Sequence, residues 1–248
     1  MTFLVWIAIA VLADEKPAVS IAKDTKTYQY DFSWSREAKA IPALDRKLRA
    51  RAAEAAGEIS AEATDAAREA KKDKSWFPDV GYESTWDYKT AGQTSSLLSL
   101  SGDWFTYSGG AHGIFGASAL LWDRAASKEI ALSALFERIT ELALLHPAMC
   151  AALAAERKTK RETDEKLDTS FDSIDEAFNG CPKFDELTTW VADEDKDGRF
   201  DTMMFAADPY VAGPYVEGMY EMRVPVTARM IAALKPAYRA SFEVQGRQ

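Results

Sequence analysis

PALDRKLRARAAEAAGEISAEATDAAREAKKD, residues 42–73, is the stretch on which the fold class turns. Leu44, Leu48, Ala52, Ala55, Ile59, Ala63, Ala66 and Ala70 recur at steps of three and four, which draws a single apolar stripe along an α-helix. Pro42 suits the first helical turn, where its missing N–H would have had no partner anyway. Gly57 weakens the middle. At about 1.5 Å rise per residue the helix would run roughly 45–50 Å. Its stripe is mostly alanine, which permits close approach to a flat partner such as a sheet. The same small residues make poor a and d positions and argue against a coiled coil.

Strand patterns flank the helix. TYQYDFSW (27–34) alternates, with Tyr28, Tyr30, Phe32 and Trp34 on one face. GYESTWDYKT (81–90) does the same with Tyr82, Ser84, Trp86 and Tyr88. Period two with aromatics predicts half-buried strands. SSLLSLS, DWFTYS and FGASALLWD then read as three short strands of an antiparallel meander. Residues 14–26 are polar and read as a flexible N-terminal segment. The stretch 131–161 reads as helix interrupted near Pro147, and FDSIDEAFNGCP (171–182) as a short helix or loop. TTWVAD, RFDTMMF and MYEMRVPV predict a second meander, followed by a short helix and tail over 226–242. The expectation is an α+β fold with antiparallel sheets, one long Ala-rich helix and a helical C-terminal half, not an alternating βαβ array.

Composition narrows the function classes. The chain has 248 residues, 47% of them hydrophobic, and a net charge of −9. Acidity disfavours nucleic acid and anionic membranes as partners and permits a basic one. Phe3–Ala13 is an unbroken apolar run, shorter than the ~20 residues a spanning helix needs. It fits a signal peptide at 1–13, with Val11-Leu12-Ala13 as the cleavage site; a buried N-terminal strand is the alternative. Export implies a periplasmic or secreted location, with no stable membrane span. In an oxidising compartment the two cysteines, Cys150 and Cys181, are expected to pair rather than stay as free thiols. No CxxC spacing or Cys/His cluster supports a redox or zinc site.

Three motifs carry candidate chemistry. YSGGAHGIF (107–115) places Tyr107 and His112 in a glycine-rich link between two strands. The link reads as a hairpin connection with a contact residue; a catalytic His112 is the rival reading. DEDKDGRFD (193–201) sets Asp193, Asp195 and Asp197 before Gly198, like the first half of a calcium loop. Met204 stands where a bidentate Glu belongs, so a Ca2+ site and an acidic turn both stay open. DPYVAGPYVEGMYEMRVPV (208–226) carries Tyr210, Tyr215 and Tyr220 on a bend shaped by Pro and Gly. Tyrosines there serve either as partner contacts or as plugs at a sheet end.

YSGGAHG, ALLWD, a helix opening with SALF, and PYVAGPY leading into YEMRVPV follow in an order that resembles the paired extracytoplasmic domains of RsiV-type lysozyme-sensing anti-sigma factors. The same pair occurs beside peptidoglycan deacetylase domains and in standalone exported alphaproteobacterial proteins. The resemblance covers roughly 25–242, with a first unit at 25–123 and a second at 124–242 in one compact fold. It implies a protein-binding role toward lysozyme-like or other cell-wall hydrolases. The sequence departs from the family by showing no spanning helix, sigma-binding segment or deacetylase domain, so neither relay signalling nor that activity carries over. The expectation is a non-enzymatic cell-envelope binding protein, with a peptidoglycan- or glycan-binding module, or a hydrolase centred on His112, as alternatives.

Overall fold

The computed structural model describes residues 16–163, 178 and 180–246. The expected signal peptide and most of 171–182 lie outside the described residues.

Two sheets organise the chain. The first has six strands in sequential order: β1 (Val19–Asp24), β2 (Tyr28–Trp34), β3 (Tyr82–Gln93), β4 (Leu97–Tyr107), β5 (Ile114–Asp123) and β6 (Lys128–Ile130). All its pairings are antiparallel except β2 with β3. That pair is parallel because helix α2 (Pro42–Asp73) carries the chain back to the same end of the sheet. A short helix, α1 (Arg36–Lys39), precedes it. One βαβ crossover therefore sits inside an antiparallel-dominated α+β fold.

The helix forms where the spacing placed it. Leu44, Leu48, Ala52, Ile59, Ala63 and Ala70 are buried, and the helix passes through Gly57 unbroken. Against it lies the aromatic face of β2, with Tyr28, Tyr30, Phe32 and Trp34 all buried. Alanine lets the backbones approach closely enough for polar tips to reach across. Tyr30 Oη donates to the Ala52 carbonyl at 2.6 Å, and Trp34 Nε1 donates to Asp45 at 3.1 Å. Burial, aided by the Asp31 charge, pushes the Tyr30 phenol up.

Two sequence expectations are corrected here. Residues 19–24 are a strand, not a flexible segment: β1 pairs with β2 from Val19↔Trp34 to Asp24↔Gln29. Val19 and Ile21 pack partly against the first core while Ser20, Ala22, Lys23 and Asp24 are exposed, so the strand is an edge whose short apolar alternation is easily read as a loose tail. SSLLSLS and DWFTYS are one strand of 11 residues, because Gly102 continues the ladder rather than turning. A Cβ there would lie 2.3 Å from the Asp87 carbonyl oxygen, so glycine serves a close cross-strand approach. β6 adds a short edge strand to the first sheet, paired with the end of β5.

Period two sorts β4 and β5 between two cores. Leu98, Leu100, Leu120 and Trp122 pack toward α2. Leu97 and Leu121 face the other way, into a second core. That core belongs to an antiparallel three-stranded sheet, β7 (Thr188–Ala192), β8 (Thr202–Ala207) and β9 (Tyr220–Pro225), as the second meander predicted. The strand β8 is buried along its whole length.

The expected helical C-terminal half is, among the described residues, only partly helical. Helix α3 (His146–Thr163) packs against β9, and α4 (Ala228–Ala233) and α5 (Pro236–Arg239) are short. The interruption near Pro147 is real: two 3-10 turns precede α3, and Pro147 occupies its first turn. Ile139–Glu162 is long and apolar enough by composition to cross a membrane, yet Leu145, Met149 and Leu153 of that stretch are buried in the second core. Cys150 in α3 and Cys181 ahead of β7 form a disulfide with Cα atoms 5.5 Å apart.

Candidate functional site

The β4–β5 hairpin and the 208–217 bend come from opposite halves of the chain and meet at one end of the molecule. The hairpin turns where Gly109 and Gly110 take φ of 100° and 92°, a backbone region open to glycine and strained for other residues. Tyr107 Oη donates to the Gly110 carbonyl at 3.2 Å and braces the turn. Trp76 and Pro78, just after α2, lie against Gly109; a Cβ built there would stand 3.4 Å from the Trp76 ring.

His112 is exposed and stacks on Tyr215, with ring centroids 4.0 Å apart and 25° between planes. Tyr215 Oη donates to the Gly113 carbonyl at 2.8 Å. Phe115 meets Tyr215 edge-on at 5.5 Å, and Tyr210 lies 5.9 Å from it on another side. Around this cluster the chain leaves large apolar side chains in solvent: Ile114 is 51% exposed, Tyr210 57%, Trp76 65% and Val216 67%. Grouped exposure of this kind distinguishes a contact surface from scattered surface hydrophobes. Tyr210 also holds φ of 73°, which orients its ring outward on a fixed backbone.

Four of the five sequence-nominated contact residues, Tyr107, His112, Tyr210 and Tyr215, thus belong to the same end. Tyr220 does not. It is fully buried, its hydroxyl bonded to Glu217, with Lys160 Nζ 4.4 Å from its ring centroid. Glu217 in turn takes Arg161 Nε at 2.9 Å. Burial first, then the Glu217 carboxylate, pushes the Tyr220 phenol up. Tyr220 is a core residue that anchors the bend, and it offers nothing to a partner. Trp76, Ile114 and Val216 were missed. Ile114-Phe115 directly after a glycine turn was the available signal, since an apolar strand start at a hairpin tip has no core to enter.

His112 has little chemistry available. Among the described residues its hydrogen bond runs from Nδ1 to the adjacent Gly113 carbonyl at 2.9 Å. Among the described residues no carboxylate is hydrogen-bonded to the ring, so the triad arrangement is not assembled there.

The acidic loop forms the β7–β8 turn. Asp193, Asp195 and Asp197 bring carboxylate oxygens within 4.8 Å of one another, a donor set of the hard kind that calcium accepts. Those oxygens already serve the turn: Asp193 accepts from Asp197 N–H at 3.1 Å and Gly198 N–H at 3.0 Å, and Asp197 accepts from Arg199 N–H at 3.0 Å. Met204, in the place of the missing Glu, is buried in β8. Burial and the neighbouring Asp195 charge raise the Asp193 carboxyl despite its backbone donors. Turn hydrogen bonds account for the placement of Asp193 and Asp197, and the same three carboxylates lie close enough together to share a cation.

A family model described as "Deacetylase PdaC" matches residues 21–115, from β1 to the start of β5. Two crystal structures of DUF3298-family proteins superpose on most of the molecule. One, from Pseudomonas aeruginosa PAO1, has a TM-score of 0.55 at 17% identity, covering 88% of this chain and 94% of that one. The other, from Bacteroides fragilis, has a TM-score of 0.55 at 16% identity, covering 90% and 94%. The fold is DUF3298-like. No functionally curated protein matches the sequence. The matched segment 21–115 ends just past the exposed hairpin turn, so β2, β3, β4 and His112 fall within it, while most of β5, all of β6 and the 208–217 bend do not.

Proposed function

We propose that this chain is a non-enzymatic, exported binding protein of the cell envelope, related to the RsiV-type extracytoplasmic pair. Its partner surface is the aromatic end around His112, Tyr210 and Tyr215. One observation carries the reading: two distant segments converge to expose Tyr210, Ile114, Val216 and Trp76 around a hydrogen-bonded ring stack. Aromatic anchors on a rigid backbone are what protein interfaces use as hot spots. The net charge of −9 favours a basic partner, and a lysozyme-like cell-wall hydrolase fits both features and the resemblance.

Titration calorimetry of the purified chain against a basic c-type lysozyme, at two salt concentrations, tests this. The expected result is saturable binding that persists at moderate salt and is lost in an Ile114→Asp, Tyr210→Ala double variant. Heat that vanishes with salt, or binding indifferent to the double variant, overturns the assignment.

A further inference from the structure

We propose that the cleft between α2 and β5 is a separate binding site for a saccharide bearing protonated amines. The cleft encloses about 570 Å³, within the ~300–1,000 Å³ range of small-ligand sites. Its lining joins residues from four places in the sequence: Glu54 and Glu58 on α2, Trp86 on β3, Ser118 on β5 and Thr188 at the start of β7.

The floor is the partly exposed face of Trp86, whose ring stacks beside the buried Phe32 with centroids 6.2 Å apart and 24° between planes. Trp86 Nε1 donates to Ser84 Oγ at 3.2 Å, which fixes the ring before any ligand arrives. A flat, partly exposed aromatic face suits the C–H side of a pyranose ring. It also attracts a cation placed above it.

The walls supply the polar groups. Arg51 in this cleft is taken: its guanidinium donates to Glu129 at 2.7 Å, and Lys47 pairs with the same carboxylate at 3.2 Å. Glu54 and Glu58, one helical turn apart, have no cationic or hydrogen-bonding partner among the described residues. On the opposite side Ser118 Oγ is buried and, among the described residues, without a hydrogen-bond partner, an arrangement proteins avoid unless a ligand or solvent serves the group. Two unpaired carboxylates, an unsatisfied hydroxyl and an aromatic floor match one ligand chemistry: a sugar whose hydroxyls meet the hydroxyl wall and whose ammonium groups meet the glutamates. A neutral sugar would leave the carboxylates unpaired, and a plain polyamine would leave the aromatic floor and hydroxyl wall unused.

The test is calorimetry of the full chain with a glucosamine tetramer, its fully N-acetylated counterpart and tetralysine. Glu54→Gln and Glu58→Gln are made together; both side chains are exposed, so the fold is not at risk. The glucosamine tetramer should bind wild type at least tenfold tighter than either other probe, and the double Gln variant should lose at least tenfold for that probe alone. Failure of the glucosamine tetramer to bind, equal binding of the acetylated tetramer, equal binding of tetralysine, or indifference to the Gln substitutions would each overturn the proposal. The Ile114→Asp, Tyr210→Ala variant should bind the tetramer as wild type does, which separates this site from the aromatic end.

Discussion

Asp208 offers the sharpest test of how the two sheets are joined. β5 pairs with β4 along its length, but β6 covers only Leu121–Asp123 on its other side. The rest of that edge needs partners from elsewhere. The Ala117 N–H donates to Asp208 Oδ1 at 2.8 Å, and the Ala117 carbonyl accepts from Thr188 Oγ1 at 3.0 Å. Ala117 is only 6% exposed. Asp208→Ala would leave its N–H buried and unpaired, at a cost of about 1–3 kcal/mol. Asp208→Asn keeps an oxygen at the same position and should lose no more than about 0.5 kcal/mol at neutral pH. The pH dependence separates charge from hydrogen bond. Burial raises the Asp208 carboxyl, and the Ala117 donor only partly offsets it. With the folded value above the unfolded one, the protonated acid favours folding. Its contribution is full below the unfolded value and is lost as pH rises through the folded value. Wild type should therefore gain stability relative to Asp208→Asn on acidification from neutral pH to about pH 3, the low end of the carboxylate range. Urea unfolding followed by tryptophan fluorescence at both pH values reads this directly. If Asn costs as much as Ala, or the gap moves the other way with pH, the oxygen-cap argument is wrong.

Other predictions rest on single contacts. Replacing Cys150 and Cys181 with serine opens a loop with a sequence separation of 31 and should lower unfolding free energy by roughly 3–4 kcal/mol in denaturant titration; a loss under about 1 kcal/mol would mean that the unfolded chain is compact without the bridge. Leu48→Ala, at a fully buried position under the sheet, should cost about 2–5 kcal/mol by the same assay. Asp193→Ala removes the acceptor for two turn amides and should cost about 1–3 kcal/mol. Millimolar calcium should leave the Tm of wild type and of this variant equally unmoved; a rise confined to wild type would establish the calcium reading.

Legibility in the sequence followed the range of the interactions. The stripe from Leu44 to Ala70 and the alternation from Tyr28 to Trp34 are periodic against one partner each, so local spacing named both elements and their buried faces. β1 escaped notice because an edge strand buries little: only Val19 and Ile21 pack against the first core, and only partly, while its other four residues are exposed. The parallel β2–β3 pair was equally silent, since nothing in 27–34 or 81–90 states which way the two strands run. Tyr210, Tyr215 and Tyr220 look alike as text. Their fates differ because Tyr220 is the first residue of β9, whose alternation turns it inward, while Tyr210 falls on irregular backbone and Tyr215 opens a 3-10 turn before it.

The aromatic end is a consequence of the topology rather than an addition to it. β4 and β5 run past the region where the second sheet covers them, so their hairpin projects beyond either core. The bend from Asp208 leaves the end of β8 beside that hairpin, and Pro209, Pro214 and the Tyr220 anchor restrict where it can go. The His112–Tyr215 stack, the Phe115–Tyr215 edge contact and the hydrogen bonds Tyr215 to Gly113 and Ala117 to Asp208 then fasten the two segments together. Neither segment has an apolar layer of its own to sink Ile114, Tyr210 or Val216 into. Those side chains remain in solvent because the fold holds them there on a braced backbone. Residues whose burial would have stabilised the chain are kept outside its cores, and this supports the partner surface proposed above.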